Sequence, residues 1–543
     1  MAKRCSKVFF IFIIISIFFI FTPHLYIGAG FTSNPLLAQE RYEDSPFGFQ
    51  PATGINRLDI YEEAKDIGIK WERRGALPYI FWSLVDPNKT GDESQFQWSG
   101  KNEKGKWRYD SMLLSQEAGL HRLYNIDIAP KDAELQGEFV KQGSWLPVNE
   151  EAYKAFVKAA VKRYPSIKYW QVGNEPTKNK KKSGFAKYLS ITYDAIKEAN
   201  PEAKVLIGGV PGLNSPSTIE GYKENFDSFY LPLLEDVAKQ GKRSFDIFDF
   251  HWYGSADGYY KMSKGIKEHI AQRIEELGIP EPEEYWITEM GSYSGDPHPI
   301  EFPPGKVQKD WPFQTEKQQA VDLVKRYVYP VSFGIKKVFW AWGIKEGFRR
   351  NCGYFDYTGI IYDGCDCVNG EYVCARDDTY DPGPGVKKLA YYTFKKMTEK
   401  LEGSDWNNIQ TVQESDGIYI YKFTKKDSGK PIWVAWNDNS DTKIVSLDVS
   451  SDKLTITEAI PDAENGAQLT KEVSFKTEVK EVSKGSVFVS LGSSPVYIEE
   501  GEVPTPVYKV EKAVLSTMPN QKSPSHKERI RQRQPRRDSP AIR

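Results

Sequence analysis

Past its first two dozen residues the chain has no apolar run of the ~20 residues that a membrane-spanning helix needs, so the remainder is expected to be soluble. It has no charge imbalance either. Lys and Arg number 73 against 74 Asp and Glu, a formal net charge of −1, so no global field argues for nucleic acid. No G-x-G-x-x-G follows the first strand candidate, which weakens any dinucleotide-binding reading. Cysteine is scarce, with five in 543 residues, and the paired C-x(2–4)-C knuckles of a zinc site are missing. Aromatic residues, by contrast, are plentiful: 14 Trp and 31 Tyr. Such side chains fill cores, and their flat apolar faces also match the C–H faces of pyranose rings.

The N-terminus, MAKRCSKVFFIFIIISIFFIF, places Lys3, Arg4 and Lys7 before an apolar run from Val8 to Phe21. This is the charge-then-apolar order of an export signal, expected to span 1–38, with cleavage after Gly30 or Ala38. An uncleaved anchor is the alternative, and only that would give the protein a membrane partner. Cys5 belongs to the leader. Cys352, Cys365, Cys367 and Cys374 crowd one segment, and an even, clustered set in an exported chain reads as two disulfides. Three pairings are possible. A four-cysteine zinc site is the rival.

From 45 to about 402 short apolar runs alternate with amphipathic stretches. Strand candidates are 45–49, 68–73, 121–128, 167–173, 204–209, 245–253, 284–290 and 336–343, mostly apolar on both faces, as buried parallel strands are. Helical periodicity covers 150–164, with Tyr153, Phe156, Val157, Ala160 and Val161 on one face, and also 264–278 and 315–328. Thr315 and Gln318 have the spacing of a capping box. Eight strands, most followed by a helix, predict a (β/α)8 TIM barrel over 39–403, with an open doubly wound sheet as the alternative. A Cys-rich insert occupies 352–385, and 386–403 reads as the last barrel helix. From 404 to 503 short alternating segments without long helices predict a small antiparallel β-sandwich. Residues 504–543 carry ten Lys and Arg against three acids and read as a basic disordered tail.

Barrel active sites form at the C-terminal ends of the strands. Asn174 and Glu175 follow the fourth strand, Glu289 ends the seventh, and His251 and Tyr253, two residues apart and so on one face, end the sixth. Arg73 ends the second and Trp342 lies near the end of the eighth. Two carboxylates converging on one mouth are what glycoside hydrolysis requires: one protonated to release a poor leaving group, the other ionised to attack the anomeric carbon. Arg73 can favour the ionised form of Glu289, and a Tyr hydroxyl can hydrogen-bond it. Trp342 offers a platform for a sugar, and Asn174 a hydrogen bond to its 2-hydroxyl. A buried Arg or His satisfied by local carbonyls would look the same.

WQVGNEP, DFHWYG, WITEMG and VFWAWG resemble the strand-4, -6, -7 and -8 signatures of the clan A glycoside hydrolases. The resemblance covers roughly 45–402. The family 39, β-xylosidase-like type is the nearest in flavour, because a β-sandwich follows the barrel and LGSSPVYIE (491–499) resembles the end of such a domain. The resemblance implies retention, with Glu175 as general acid/base and Glu289 as nucleophile. One departure is the stretch CDCVNGEYVCARDDTYDPGPG, which is inserted before KKLAYYTFK. Held by disulfides beside the eighth strand, it can wall the cleft. The expectation is a secreted or periplasmic retaining hydrolase of β-linked glycans that needs no metal or organic cofactor. A transglycosylase on the same site is one alternative, and an inactive carbohydrate-binding scaffold is another. Asp363, Asp366, Asp377, Asp378 and Asp381 read as an acidic solvated loop, with a calcium site as the alternative.

Overall fold

The computed structural model describes residues 43–50, 58–73, 79–102, 105–112, 119–130, 133–176, 183–212, 218–299, 311–374, 382–504 and 507–510. The leader with Cys5, nearly all of the basic tail, and Asp377, Asp378 and Asp381 lie outside the described residues.

Eight parallel strands close into a barrel: β1 (Phe47–Phe49), β2 (Trp71–Arg73), β3 (His121–Asp127), β4 (Tyr169–Val172), β5 (Lys204–Leu206), β6 (Ile247–Tyr253), β7 (Glu284–Gly291) and β8 (Ile335–Trp340). Closure runs from β8 to β1, with Phe47 opposite Val338, and from β2 to β3, with Trp71 opposite His121. All eight predicted strands are present, and the closed ring rules out the open doubly wound sheet. Helices cover the outside. Glu150–Arg163 buries Tyr153, Phe156, Val157, Ala160 and Val161, the stripe its 3.6 periodicity predicts. Glu316–Ser332 starts with the capping box of Thr315 and Gln318, both halves formed.

Period-2 alternation along each strand sorts the barrel interior into layers. At the N-terminal end Trp71, Leu123, Leu206, Ile247, Trp286 and Phe339 form an apolar floor. One step further along, the inward positions turn polar, with Arg73, Asn125, Gln171, Asp249 and Thr288 all buried. Above them lies the mouth. The outward residues of the same strands, such as Trp170, Val205, Phe250 and Val338, join the core beneath the helices.

The floor contains a cation. Lys337 on β8 is 4% exposed, its Nζ 4.9 Å from the Trp71 ring centre and 5.8 Å from that of Trp286. Burial pulls its ammonium down from 10.5 to about 8, although Glu284, Asp44, Glu43 and Glu402 oppose the shift. The folded state therefore binds this proton less tightly than the unfolded chain. Below pH 8 the charge counts against folding, and the penalty disappears as pH rises from about 8 to 10.5. A depression of this size corresponds to about 3 kcal/mol. Lys337→Met should raise stability to urea at pH 7 by up to about 3 kcal/mol. It should also flatten the wild-type rise between pH 8 and 10.5, and equal pH slopes in the two proteins would contradict the assignment.

The last barrel helix, Leu389–Leu401, leads into the second unit. Its antiparallel six-stranded sheet runs in the order Gln410–Ser415, Ile418–Thr424, Pro431–Asn437, Val496–Glu500, Lys453–Glu458, Thr477–Glu481. A two-stranded sheet, Lys443–Asp448 with Ser486–Leu491, packs on one face through Ile420, Trp433, Val445, Leu447, Val489 and Ile498. The other face carries Tyr421, Val434, Trp436 and Tyr497 into the main core. Polar bonds fasten the two units: Lys325 Nζ and Tyr260 Oη reach Asp438 at 2.8 and 2.7 Å, and Trp436 Nε1 donates to Tyr260 Oη at 2.9 Å. The strand Gln410–Ser415 was not predicted, because it is polar and mostly exposed, with no apolar alternation to mark it.

Candidate active site

The polar layer sets the site from below. Arg73 is fully buried, and its guanidinium makes five hydrogen bonds to four acceptors. Nε and Nη2 donate to Gln171 Oε1 at 2.9 and 2.6 Å, Nη2 to Asn174 Oδ1 at 2.9 Å, and Nη1 to Thr288 O at 3.3 Å and Glu289 Oε1 at 2.6 Å. Gln171 is oriented in turn by Asn125, which donates to its Oε1, and by Asp249, which accepts from its Nε2. Thr288 Oγ1 donates to the same Asp249 carboxylate at 2.6 Å. The guanidinium therefore has one orientation, fixed from β4 with the turn after it and from β7.

Glu289 reaches this layer through an irregularity. The pairing of β7 with β6 slips between Ile287 and Glu289, so neighbours Thr288 and Glu289 both bond into the barrel interior. Without the bulge, period-2 alternation would turn one of them outward. The carboxylate is 4% exposed, and Tyr253 Oη donates to Oε2 at 2.6 Å. Burial first, then the Glu289 charge, pushes the Tyr253 phenol well above its ordinary value, so it remains a donor.

Glu175 arrives by a turn. After β4 the chain passes through Gly173 (φ +64°) and Glu175 itself (φ +51°), a left-handed conformation costing a non-glycine residue about 1 kcal/mol. It is held by the Glu175 N–H, which donates to Gly208 O at 2.8 Å. The Glu175 side chain is 33% exposed, so this carboxyl is open to water while that of Glu289 is not. His251 stands between them, Nδ1 2.8 Å from Glu175 Oε1 and 3.5 Å from Glu289 Oε2. His251 Nε2 is buried with no hydrogen-bond partner among the described residues, which places the ring proton on Nδ1, facing the carboxylates. Gly209 (φ +72°) makes room for the ring: a Cβ there would lie 2.3 Å from Nε2.

The predicted residues thus gather. Arg73, Asn174, Glu175, His251, Tyr253 and Glu289 form one continuous set of contacts. Trp342 follows β8 at the same end, 8% exposed, with Phe348 stacked on its ring at 4.5 Å. An oxygen of Glu175, one of Glu289 and a nitrogen of His251 lie within 4.8 Å of one another, a span that would suit a cation. The Arg73 guanidinium, in contact with the same Glu289 carboxylate, opposes a second positive charge there.

Gln171, Asp249, Asn125 and Thr288 went unrecognised in the sequence. Their signal was present: Gln171 and Asp249 are polar residues inside apolar strands, Asp249 two places before His251 and so on its face. The strand expected over 204–209 ends at Leu206, and Gly208 and Gly209, both at positive φ, form the break after it.

The four cysteines pair as Cys352–Cys367 and Cys365–Cys374. The second pair closes the hairpin Cys365–Val368/Glu371–Cys374, and the first ties it to the loop after β8 that carries Phe348. With every cysteine of the cluster in a disulfide, the zinc alternative falls. Peptide mapping without reduction should recover these two linked pairs and no free thiol among the four. Because the hairpin lies outside the barrel core, Cys352→Ser/Cys367→Ser should alter relative rates among substrates several-fold. The barrel's melting transition should move little, and a collapse of that transition would contradict the assignment.

No protein-family model and no curated protein matches the sequence. Solved structures do match. A family 39 glycoside hydrolase from Bacteroides cellulosilyticus WH2 superposes with a TM-score of 0.55 at 15% identity, over 86% of this chain and 82% of that one. A glucosidase from Croceicoccus marinus gives 0.47 at 12% identity, over 84% of this chain and 96% of that one. A GH30 endoxylanase from Clostridium papyrosolvens C71 gives 0.45 at 13%, over 84% and 96%. The first likeness places this chain on the fold of that hydrolase, a barrel followed by antiparallel sheets.

Proposed function

We propose that the protein is an exported, retaining glycoside hydrolase that cleaves β-linked O-glycosidic bonds in oligo- or polysaccharides. The observation that carries the reading is the pair of carboxyls, one just after β4 and one on β7, that meet at one barrel mouth with one oxygen of each within 4.8 Å. Retaining enzymes hold their two carboxyls about 5–5.5 Å apart, and inverting ones about 6.5–9.5 Å, to admit a water.

In the first step Glu289 attacks the anomeric carbon as Glu175 gives its proton to the departing oxygen, leaving a glycosyl ester on Glu289. In the second, Glu175, now a carboxylate, takes a proton from water, which attacks the same carbon and frees Glu289. Burial matches these roles. The attacking carboxylate is shielded and held at both oxygens by Arg73 and Tyr253, and the Arg73 charge favours its ionised form. The proton-exchanging group is the one open to water. Asn174, its Oδ1 fixed by Arg73, presents its amide for the sugar's 2-hydroxyl, and Trp342 supplies an apolar ring.

Purified protein incubated with a panel of aryl β-glycosides and β-glycans should release sugar from at least one, and Glu289→Gln should not. Equal release by both proteins would remove the assignment.

A further inference from the structure

The loop after β8 brings a second arginine to the aromatic residues around the site. Asp356 is buried, and its carboxylate accepts the backbone N–H groups of Arg349, Arg350 and Asn351 at 2.6, 2.7 and 2.7 Å. This nest fixes the loop, and the Cys352–Cys367 bridge anchors its far end. The Arg349 guanidinium sits 4.8 Å from the Phe355 ring centre and 5.8 Å from that of Phe348. Both rings belong to the cleft: Phe355 packs edge-on against Tyr253 at 5.0 Å, and Phe348 stacks on Trp342 at 4.5 Å. Arg349 thus lies against two rings, one touching the tyrosine that holds Glu289 and the other stacked on Trp342. Burial works against its charge, while the oxygens of Tyr253, Glu289, Asp356 and Glu175 work for it, so the guanidinium lies within electrostatic reach of both carboxylates.

Double displacement explains Arg73 but gives Arg349 no task. Arg73 already provides the counter-charge of Glu289, and Glu175 must carry a proton when the substrate binds. A cation stacked on aromatic rings at a substrate cleft is instead the arrangement by which arginine receives planar or tetrahedral anions, through paired N–H groups. We infer that Arg349 recognises an anionic substituent on the sugar chain, a uronate carboxylate or a sulfate ester, and that the substrate is an acidic glycan. The inference rests on the proposed function for the site, but its test has a readout that does not.

The experiment compares wild type, Arg349→Gln and Arg349→Lys on matched probes: 4-nitrophenyl β-glucoside against the β-glucuronide, a neutral xylan against a glucuronoxylan, and a neutral galactan against a sulfated one. Hydrolysis and retardation in gels containing each polymer are both measured. Wild type should favour one acidic class at least tenfold, and the preference should shrink as salt rises. Arg349→Gln should lose at least tenfold more on that class than on its neutral counterpart, with Arg349→Lys between, because an ammonium keeps the charge but not the fork. Preference for glucuronoxylan would identify the carboxylate, and preference for the sulfated galactan the sulfate. If no probe is hydrolysed but an acidic polymer retards wild type and not Arg349→Gln, anion recognition stands and the hydrolase reading falls. If neutral probes are hydrolysed as well as acidic ones, or Arg349→Gln loses equally on both, the inference is overturned while the hydrolase reading stands.

Discussion

Glu289→Ala should lower turnover of every glycoside by on the order of ten-thousand-fold or more, because it removes the atom that attacks. Stability should fall as well, because the fully buried Arg73 loses its counter-charge, a cost of roughly 3–5 kcal/mol, so rates are compared well below the melting transition of each protein. Glu175→Ala should behave differently. Its first step loses only protonation of the leaving group, so a dinitrophenyl glycoside, whose leaving group is already a stable anion, should still form the glycosyl ester. The second step then lacks its base and becomes slow. Azide needs no deprotonation, so it should restore turnover to Glu175→Ala and give the β-glycosyl azide. With Glu289→Ala, azide should enter from the opposite face and give the α-product. Product anomers read by NMR check both roles at once, and the reverse pair of products would exchange them.

The second large effect belongs to Arg73. Arg73→Met takes away the donor for Glu289 Oε1, Gln171 Oε1, Asn174 Oδ1 and Thr288 O, all at or below the mouth. A buried carboxylate without its counter-charge costs roughly 3–5 kcal/mol, so the melting temperature should fall by several degrees. The rate should fall further than stability alone explains, by about a hundredfold or more even well below the melting transition, because Glu289 and Asn174 lose their shared anchor. Arg73→Lys keeps the charge but can reach only some of these acceptors. It should recover part of the rate and little of the stability. A variant as stable and as active as wild type would show that the five contacts are not what positions the site.

The barrel was legible because its signal is local: each strand is an apolar run, and each predicted site residue ends one. Glu175, Glu289, His251, Tyr253 and Arg73 could be chosen by their place in chain order alone. Their support could not. Arg73 and Gln171 are 98 residues apart, and nothing in either neighbourhood announces the other. The slip in β7 that brings Thr288 and Glu289 into the same interior is a property of pairing with β6, not of the sequence WITEMG. The left-handed turn at Glu175 depends on a carbonyl from Gly208, a strand away. Cysteine clustering showed that two bridges exist, but their pairing waited on the hairpin register that sets Cys365 opposite Cys374. Arg349 was passed over for a similar reason. The loop that aims it is built by Asp356, whose use of three N–H groups leaves no periodic trace.

The central claim is that two carboxyls at this spacing perform two displacements at one carbon. Proton NMR of the sugar first released from an aryl β-glycoside that the enzyme turns over, recorded before mutarotation, tests it most directly. The account predicts the β-anomer as first product. Release of the α-anomer would mean a single displacement by water, and would contradict it.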